Sequence, residues 1–394
     1  MKRYFGGTYR AVDPADTWKR VWRSRSTFGI TRLARVTGLD FVGIPGFTAI
    51  RPNSKSLAVS QGKGLSDDAA RASAIMESVE LWHAENANLV TRTTSFETLS
   101  RTGRVIDVNR LPLRPGVQKV DETQEIAWVE GTNVIDAQNM WVPLDAVIID
   151  STLPAPPVFP HSTNGLASGN THDEAACHAL FELIERDAYS MWQHDLADPE
   201  GESTLLDLRT VDDPDCRALL NLFAEAGLVV VVNDITSEFG VPCYTCLVGD
   251  QPGNYRTIGL EWGAGCHLSP RVALARALTE AAQSRLTVIS GNRDDIADSR
   301  YTDLTDDDLT DFRDRVQSAV PTCQWRMEVD CTSSFTTDFK TVVSRLSSAG
   351  IDAVVLVTLT DPDIGIPVVK AIATDLEGPF GHVRINSRAR TLTS

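Results

Sequence analysis

SQGKGLSDDAARASAIMESVELWHAE, residues 60–85, holds the pattern that decides how this chain is read. Within it Ser66, Ala70, Ala74, Glu77 and Glu80 mark a spacing that recurs twice. The second copy is Thr171, Ala175, Ala179, Glu182 and Glu185, and the third is Ser269, Ala273, Ala277, Glu280 and Gln283. Glycines stand just upstream each time: Gly62 and Gly64, Gly165 and Gly169, Gly263 and Gly265. The expectation is a loop, an N-cap and a helix, three times over. Ser or Thr caps the helix start, Ala residues four apart admit a neighbouring backbone, and acceptors at i and i+3 share one face. Ile75, Leu180 and Leu278 at matching positions give each helix an apolar side for a core.

A lone E-x-x-E on a helix is ordinarily a solvated pair, because Glu is a strong helix former. Three registered copies argue for a site instead. Glu77, Glu80, Glu182, Glu185 and Glu280, gathered with Gln283 near a core, are costly unless cations neutralise them. Oxygen donors with no thiolate among them suit Mg²⁺, which keeps waters and takes phosphate oxygens.

Residues 60–85 and NGLASGNTHDEAACHALFELIERDA (164–188) resemble the two nucleotide-binding signatures of the YcaO superfamily. GLEWGAGCHLSPRVALARALTEAAQSRLTVISGNRDD (259–295) is similar to its third, and with FGITRLARVTGLDFVGIP the likeness covers roughly residues 5–380. The opening GGTYRAVDPADTW and the run RPNSKSLAVSQGKG resemble the subgroup encoded beside TfuA-type proteins. The resemblance implies an ATP- and Mg²⁺-dependent enzyme that activates peptide amides. It implies that Glu77, Glu80, Glu182 and Glu185 hold Mg²⁺ against the ATP phosphates. Lys63, Ser73, Asn170, Glu174, Arg186, Arg276 and Glu280 are implied to contact nucleotide. Catalytic roles fall on Lys63, Arg186, Gln283 and Arg285. No G-x-x-x-x-G-K-[ST] is present, so ATP is expected to be held by side chains and metal rather than by a phosphate loop.

Departures from the family pattern bear on the chemistry. Glu80 is followed by Leu81 where the signature commonly has Arg, and Arg71 is a weak substitute. Ala373 and Asp375 stand where Pro and Gly often sit near the closing strand. The terminal segment 381–394 has no Pro-x-Pro-x-Pro motif of the kind found in many azoline-forming members. The expected reaction is therefore thioamide formation in a ribosomally made peptide or protein, with a TfuA-type partner and a sulfur donor. An azoline-forming cyclodehydratase, or a non-catalytic nucleotide-binding accessory protein, are the alternatives. A homodimer is implied by the family alone, and no leader-peptide recognition domain is recognised ahead of the first signature.

The 394 residues, 42% of them hydrophobic, supply ample apolar material for a large core. Copies spread over some two hundred residues must converge to make one site, which predicts a mixed α/β (α+β) fold in a single interleaved domain. Residues 1–50 are expected to pack on a catalytic domain at 51–380. Net charge −16 argues against a nucleic-acid surface. No run approaches a membrane span or a signal sequence, and a cytoplasmic location is expected.

Seven cysteines at scattered positions do not form a disulfide framework. Cys243 and Cys246 make a C-x-x-C in a segment patterned as a strand, where i and i+3 point to opposite faces, so a structural role is expected. Cys177 and Cys266 read as small buried hydrophobes. Glu80-Leu-Trp-His83 is the unit of carboxylate-bridged di-iron sites, but Ala188 and Leu286 at the equivalent places of the other copies exclude that reading. His178 and His267 are expected in core or capping roles. Glu85 falls outside the repeat register, and a Glu→Gln change there is expected to leave Mg-ATP affinity unchanged. Helices are predicted at 14–23 and about 338–349. Strands are predicted at 58–60, 126–131, 139–144, 228–233, 241–248, 257–262 and 353–358, and 294–315 reads as an acidic, solvated helix and loop.

Overall fold

The computed structural model describes residues 2–117, 119–156, 158–195, 203–250, 258–293, 296 and 306–378. Segment 381–394 lies outside the described residues, as does most of 294–305. The N-terminus is a hairpin of β1 (Arg3–Tyr4) and β2 (Tyr9–Arg10) with Gly6 and Gly7 at positive φ in its turn. An ion pair between Lys2 and Asp338 anchors it to helix α8, whose range is given below. Helix α1 (Pro14–Arg23) follows, capped by Asp13 accepting from the Ala15 amide at 2.8 Å, with Pro14 in its first turn. β3 (Arg32–Arg35), β4 (Gly46–Ile50) and β5 (Val59–Lys63) then form an antiparallel sheet with β4 in the middle, and α2 (Asp67–Glu85) packs on it. That sheet joins residues on both sides of position 50.

A second, six-stranded sheet is built from β6 (Thr91–Ser95), β7 (Glu125–Asn133), β8 (Gln138–Pro143), β9 (Leu166–Ser168) and the last two strands of the chain. The short helix α3 (Phe96–Ser100) follows β6, and α4 (His172–Asp195) follows β9. β10 (Leu206–Asp207) precedes α5 (Pro214–Glu225), and β11 (Val229–Asp234), β12 (Cys243–Gly249) and β13 (Leu260–Cys266) make the third sheet, all antiparallel. α6 (Pro270–Ser290) packs on β13 and stops at Gly291 in the left-handed conformation. α7 (Asp306–Ser318), β14 (Cys323–Gln324) and α8 (Phe335–Ser348) lead into β15 (Val354–Thr358) and β16 (Val368–Ala373). The large sheet runs β6-β7-β15-β16-β9, with β8 paired on β7. The mixed α/β expectation is borne out, as are the helix at 14–23 and the hairpin of β7 and β8.

Each repeat is a strand followed by a helix, not a loop followed by a helix. The glycine-bearing segments expected as loops are β5 and β13, with β9 at the same place in the second copy. Physics explains the glycines better than loop chemistry does. A Cβ on Gly62 would lie 2.1 Å from the Ala74 nitrogen and 2.2 Å from the Ala70 carbonyl oxygen. A Cβ on Gly265 would lie 2.1 Å from the Ala273 carbonyl oxygen and 2.6 Å from the Ala277 nitrogen. The Ala residues four apart thus admit the backbone of their own upstream strand, and this contact fixes the helix axis on the sheet.

The caps differ between copies. Ser66 and Thr171 accept from the Ala69 and Glu174 amides, each at 3.2 Å. Ser269, expected to cap the third helix, does not: its hydroxyl is buried without a partner, and its amide donates to His267 Nδ1 at 2.9 Å. Glu85 is 5% exposed and pairs with Arg51 while accepting from the Ser56 amide at 3.1 Å. It ties α2 to the turn before β5. Cys243 and Cys246 lie buried in β12, as the strand reading required, and Cys177 and Cys266 are buried too.

Candidate functional site

The three repeat helices α2, α4 and α6 turn their marked faces toward one cleft of about 750 Å³. Glu77 and Glu80, Glu182 and Glu185, and Glu280 and Gln283 all line it, so each copy contributes both of its paired acceptors. The positions one turn earlier, Ser73, His178 and Arg276, line it as well. A shared face at i, i+4 and i+7 on three converging helices gives this result directly.

Burial sets the electrostatics. It pushes the carboxyls of Glu77, Glu80 and Glu182 up to about 7. Arg293 and Lys63 oppose the shift at Glu77; Ser168 opposes it at Glu80, donating its amide at 2.8 Å and its hydroxyl at 2.7 Å. Arg186 opposes it at Glu182, while Glu185 and Glu80 reinforce it. At Glu280 burial is outweighed by Lys63 and then Arg186, which hold its carboxyl below the usual range. Arg186 lies 3.6 Å from Glu185 and 3.8 Å from Glu280, and these carboxylates, with Glu182, raise its pKa despite burial. Glu185 spends its other oxygen on the Cys266 amide at 3.0 Å, which fixes that carboxylate in place.

The far end of the cleft is organised by the N-terminal segment. Arg10, on β2, sits 3.8 Å from Glu174 and donates to His178 Nε2 at 2.6 Å. Burial, then the Arg10 and Arg276 guanidiniums, hold the His178 pKa well below its ordinary value, so it is a neutral imidazole accepting from Arg10. Asn170 donates its amide to Glu174 at 3.0 Å, and its side-chain oxygen accepts from Thr17 at 3.1 Å and Arg20 at 3.0 Å. Glu174 keeps one buried oxygen with no hydrogen-bond donor.

The cleft brings together Lys63, Ser73, Glu77, Glu80, Asn170, Glu174, Glu182, Glu185, Arg186, Arg276, Glu280 and Gln283 from the expected set. Arg285 is a correction. It is fully buried on another face of α6, 2.9 Å from Asp40 and 3.3 Å from Asp250, and is a structural ion pair rather than a catalytic group. Seven residues beyond Leu278 on a 3.6-residue period, it belongs to the apolar side and not to the acceptor face. Arg71 is likewise outside the cleft, 3.0 Å from Asp68 and stacked over Phe47 at 4.6 Å, so it does not replace the missing arginine after Glu80. Gln283 donates to the Gln61 carbonyl at 3.1 Å, tying α6 to β5 across the cleft.

Three cations escaped the sequence reading: Arg10, Arg293, which lines the cleft beside Glu77, and Lys370. Arg10 lies far in sequence from every repeat, and no local pattern marks it. Lys370 on β16 is buried, donates to the Ser162 carbonyl, and is pushed down to about 8 by burial against the pull of Glu182. Its signal was available: a single lysine inside the apolar run 368–373 is expensive unless a partner or a ligand requires it.

The donor set fits Mg²⁺. All the candidate ligands are carboxylate oxygens, and three of them are held near neutrality by desolvation, a cost that a divalent cation removes. Among the described residues no group of three His, Cys, Asp or Glu side chains closes on a single point as a metal cage would. The glutamates instead wall a shared space, the arrangement suited to an ion that shares its shell with waters and phosphates.

A protein encoded in the tfuA 3′ region of Rhizobium leguminosarum bv. trifolii is 33% identical, over 96% of this chain and 92% of its own length. A heterocyclase solved in complex with substrate and cofactor shares the fold with a TM-score of 0.78 at 22% identity; the match covers 100% of this chain, which spans 56% of that one. The YcaO protein of Methanopyrus kandleri, solved with AMPPCP and Mg²⁺, shares it with a TM-score of 0.75 at 22% identity, over 95% and 94% of the two chains. Since the profile described as YcaO cyclodehydratase, ATP- and Mg²⁺-binding, matches residues 61–377, this chain belongs to the YcaO family, with ATP and Mg²⁺ as its cofactors.

Proposed function

We propose that the chain activates a peptide backbone amide at the expense of ATP and exchanges the amide oxygen for sulfur, assisted by a TfuA-type partner. The observation that carries the activation step is the cleft itself, where paired acceptors of three helices face Lys63, Arg186, Arg276 and Arg10. In the proposed reaction a nucleophile adds to the peptide carbonyl carbon. The resulting oxyanion takes the γ-phosphoryl group of ATP, and inorganic phosphate leaves with the former amide oxygen. Sulfide as nucleophile yields a thioamide; a neighbouring Cys, Ser or Thr side chain yields an azoline.

Glu77, Glu80, Glu182 and Glu185 are the residues proposed to hold Mg²⁺, which supplies charge neutralisation between phosphate oxygens and carboxylates. Arg186, anchored by Glu185 and Glu280, presents a planar fork to a phosphate and stays charged through the reaction. Lys63 sits at the end of β5 against Glu280 and can swing to the transferring group as charge builds there. Arg10 and Arg276 guard the end of the cleft nearest Asn170 and Glu174, with His178 fixed as a neutral acceptor between them.

The sulfide reading is supported by similarity to the tfuA-region protein along almost the whole chain. The azoline reading is kept because the matching profile is described as a cyclodehydratase and one neighbour in fold is a heterocyclase. One incubation separates them: enzyme, TfuA-type partner, candidate peptide, Mg-ATP and sulfide, with the product weighed. Replacement of oxygen by sulfur gives a mass gain that depends on sulfide. Sulfide-independent loss of water at a Cys, Ser or Thr refutes thioamidation and leaves amide activation standing.

A further inference from the structure

A second cavity of about 520 Å³ adjoins the nucleotide cleft, and the two share Gly6, Pro14 and Leu65. The tip of the β1–β2 hairpin is the partition between them: a Cβ on Gly7 would lie 2.7 Å from Leu65 Cδ1, so the turn rests directly on that side chain. The second cavity is walled by Phe5, Pro45, Leu65 and Leu222, and its polar rim is Ser66 with the carboxylates Asp13, Asp68 and Asp215. None of its lining residues is a lysine or arginine. Each rim carboxylate has one oxygen engaged: Asp13 by the Ala15 amide, Asp68 by Trp18 at 2.8 Å and Arg71 at 3.0 Å, and Asp215 by the Tyr4 hydroxyl. These contacts hold the carboxylates in place and leave the second oxygen of each for a ligand.

We propose that this cavity receives the segment of the substrate peptide flanking the amide to be modified, and that it selects an apolar residue beside a lysine or arginine. The inference rests on the peptide-activating function proposed above. Continuity with the nucleotide cleft lets a chain seated here pass over Gly6 and Gly7 with its carbonyl directed at the phosphates. Apolar walls with an acidic rim complement an apolar and cationic segment and reject an acidic one, which would face Asp13 and Asp215 with no lysine or arginine in the lining; Asp68 is already paired with Arg71.

The test uses two fluorescein-labelled peptides, one of alternating leucine and lysine and one of alternating leucine and glutamate, titrated by anisotropy into the full chain with Mg-ATP analogue. Net charge −16 attracts cations everywhere, so the decisive variants are local. Ala218 is exposed on α5 and lines the cavity, and neither Ala218→Lys nor Ala218→Glu disturbs a buried contact. Ala218→Lys is expected to weaken the lysine peptide about tenfold, whereas Ala218→Glu, of similar bulk, retains or tightens it. Val90→Lys, 87% exposed and outside both cavities, is expected to change nothing. Calorimetry of Mg-ATP is expected to be unaltered in all three. Equal weakening by Ala218→Lys and Ala218→Glu, or by Ala218→Lys and Val90→Lys, overturns the proposal. Loss of TfuA-type partner binding with peptide binding intact also overturns it, making the cavity a partner dock. Failure of the unaltered chain to bind Mg-ATP would instead sink the functional reading, since peptide selectivity is measured separately.

Discussion

Glu182→Gln should stabilise the nucleotide-free protein while crippling nucleotide binding, and the stabilisation should vanish in acid. Burial raises this carboxyl to about 7, so the folded state binds its proton more tightly than the unfolded chain, whose glutamates titrate near the ordinary value. Between those two values the folded state holds more protons, and stability falls as pH rises through the window. The full shift corresponds to about 3 kcal/mol. Glu182 is half-buried beside cleft water, and neutralising one wall relieves Glu80 and Glu185 as well, so a gain of about 1–2 kcal/mol is expected above pH ~7. In a chain of 394 residues that is a rise of roughly 1–2 °C in Tm. Thermal unfolding of both proteins at about pH 8 and about pH 5 reads the effect, and Mg-ATP titration reads the loss of function. If Glu182→Gln is less stable at the higher pH, or equally stabilised at both, then the carboxylate is not electrostatically strained and the argument for a cation site loses its ground.

If Glu77, Glu80 and Glu182 hold Mg²⁺ as proposed, they must be deprotonated to do so, and affinity should drop as pH falls below about 7, with proton release on binding there seen as a buffer-dependent enthalpy in calorimetry. Chelating Mg²⁺ should remove nearly all ATP affinity, measured by the same titration with and without EDTA. Glu85→Gln should cost about 3–5 kcal/mol in denaturant unfolding by leaving Arg51 without its buried partner, while the cleft keeps its nucleotide affinity. Gly62→Ala should prevent stable folding or cost more than ~4 kcal/mol, because the added carbon meets helix backbone that cannot yield.

Elements within each repeat were legible because their information is local. Ala70, Ala74, Glu77 and Glu80 are related by helical periodicity alone, and three copies told signal from accident. Two features of the same repeats were misread for one reason. Glycine before a helix is compatible with a loop, but Gly62 and Gly265 are glycine because a strand runs under α2 and α6, and that contact is tertiary. Ser269 resembles Ser66 in sequence, yet its hydroxyl caps no helix amide, and its own amide donates to His267 Nδ1. Arg285 was drawn into the site by the family signature although its helical position lies off the acceptor face. Glu85 and Arg10 depend on partners 34 and 168 residues away, Arg51 and His178, and no spacing rule reaches that far.

What distinguishes this cleft from a glycine-rich phosphate loop is the sign of its fixed charge. A loop of backbone amides presents partial positive charge to phosphate before any ion arrives. Here the helix faces present carboxylates, three of them raised to about 7 by burial, and several of the cleft's cations are already shared: Lys63 and Arg186 with Glu280, Arg10 with Glu174. Phosphate entering alone would meet carboxylates and compete for engaged cations. With Mg²⁺ held as proposed, the same carboxylates would become ligands, Glu280 would remain the counter-charge beside Lys63 and Arg186, and the desolvation that raised the glutamates would strengthen every new contact. On the proposed ligand assignment metal and nucleotide are expected to enter as a unit, and the repeated pair of acceptors, costly in the empty fold, is the feature that would make the cleft selective for that unit.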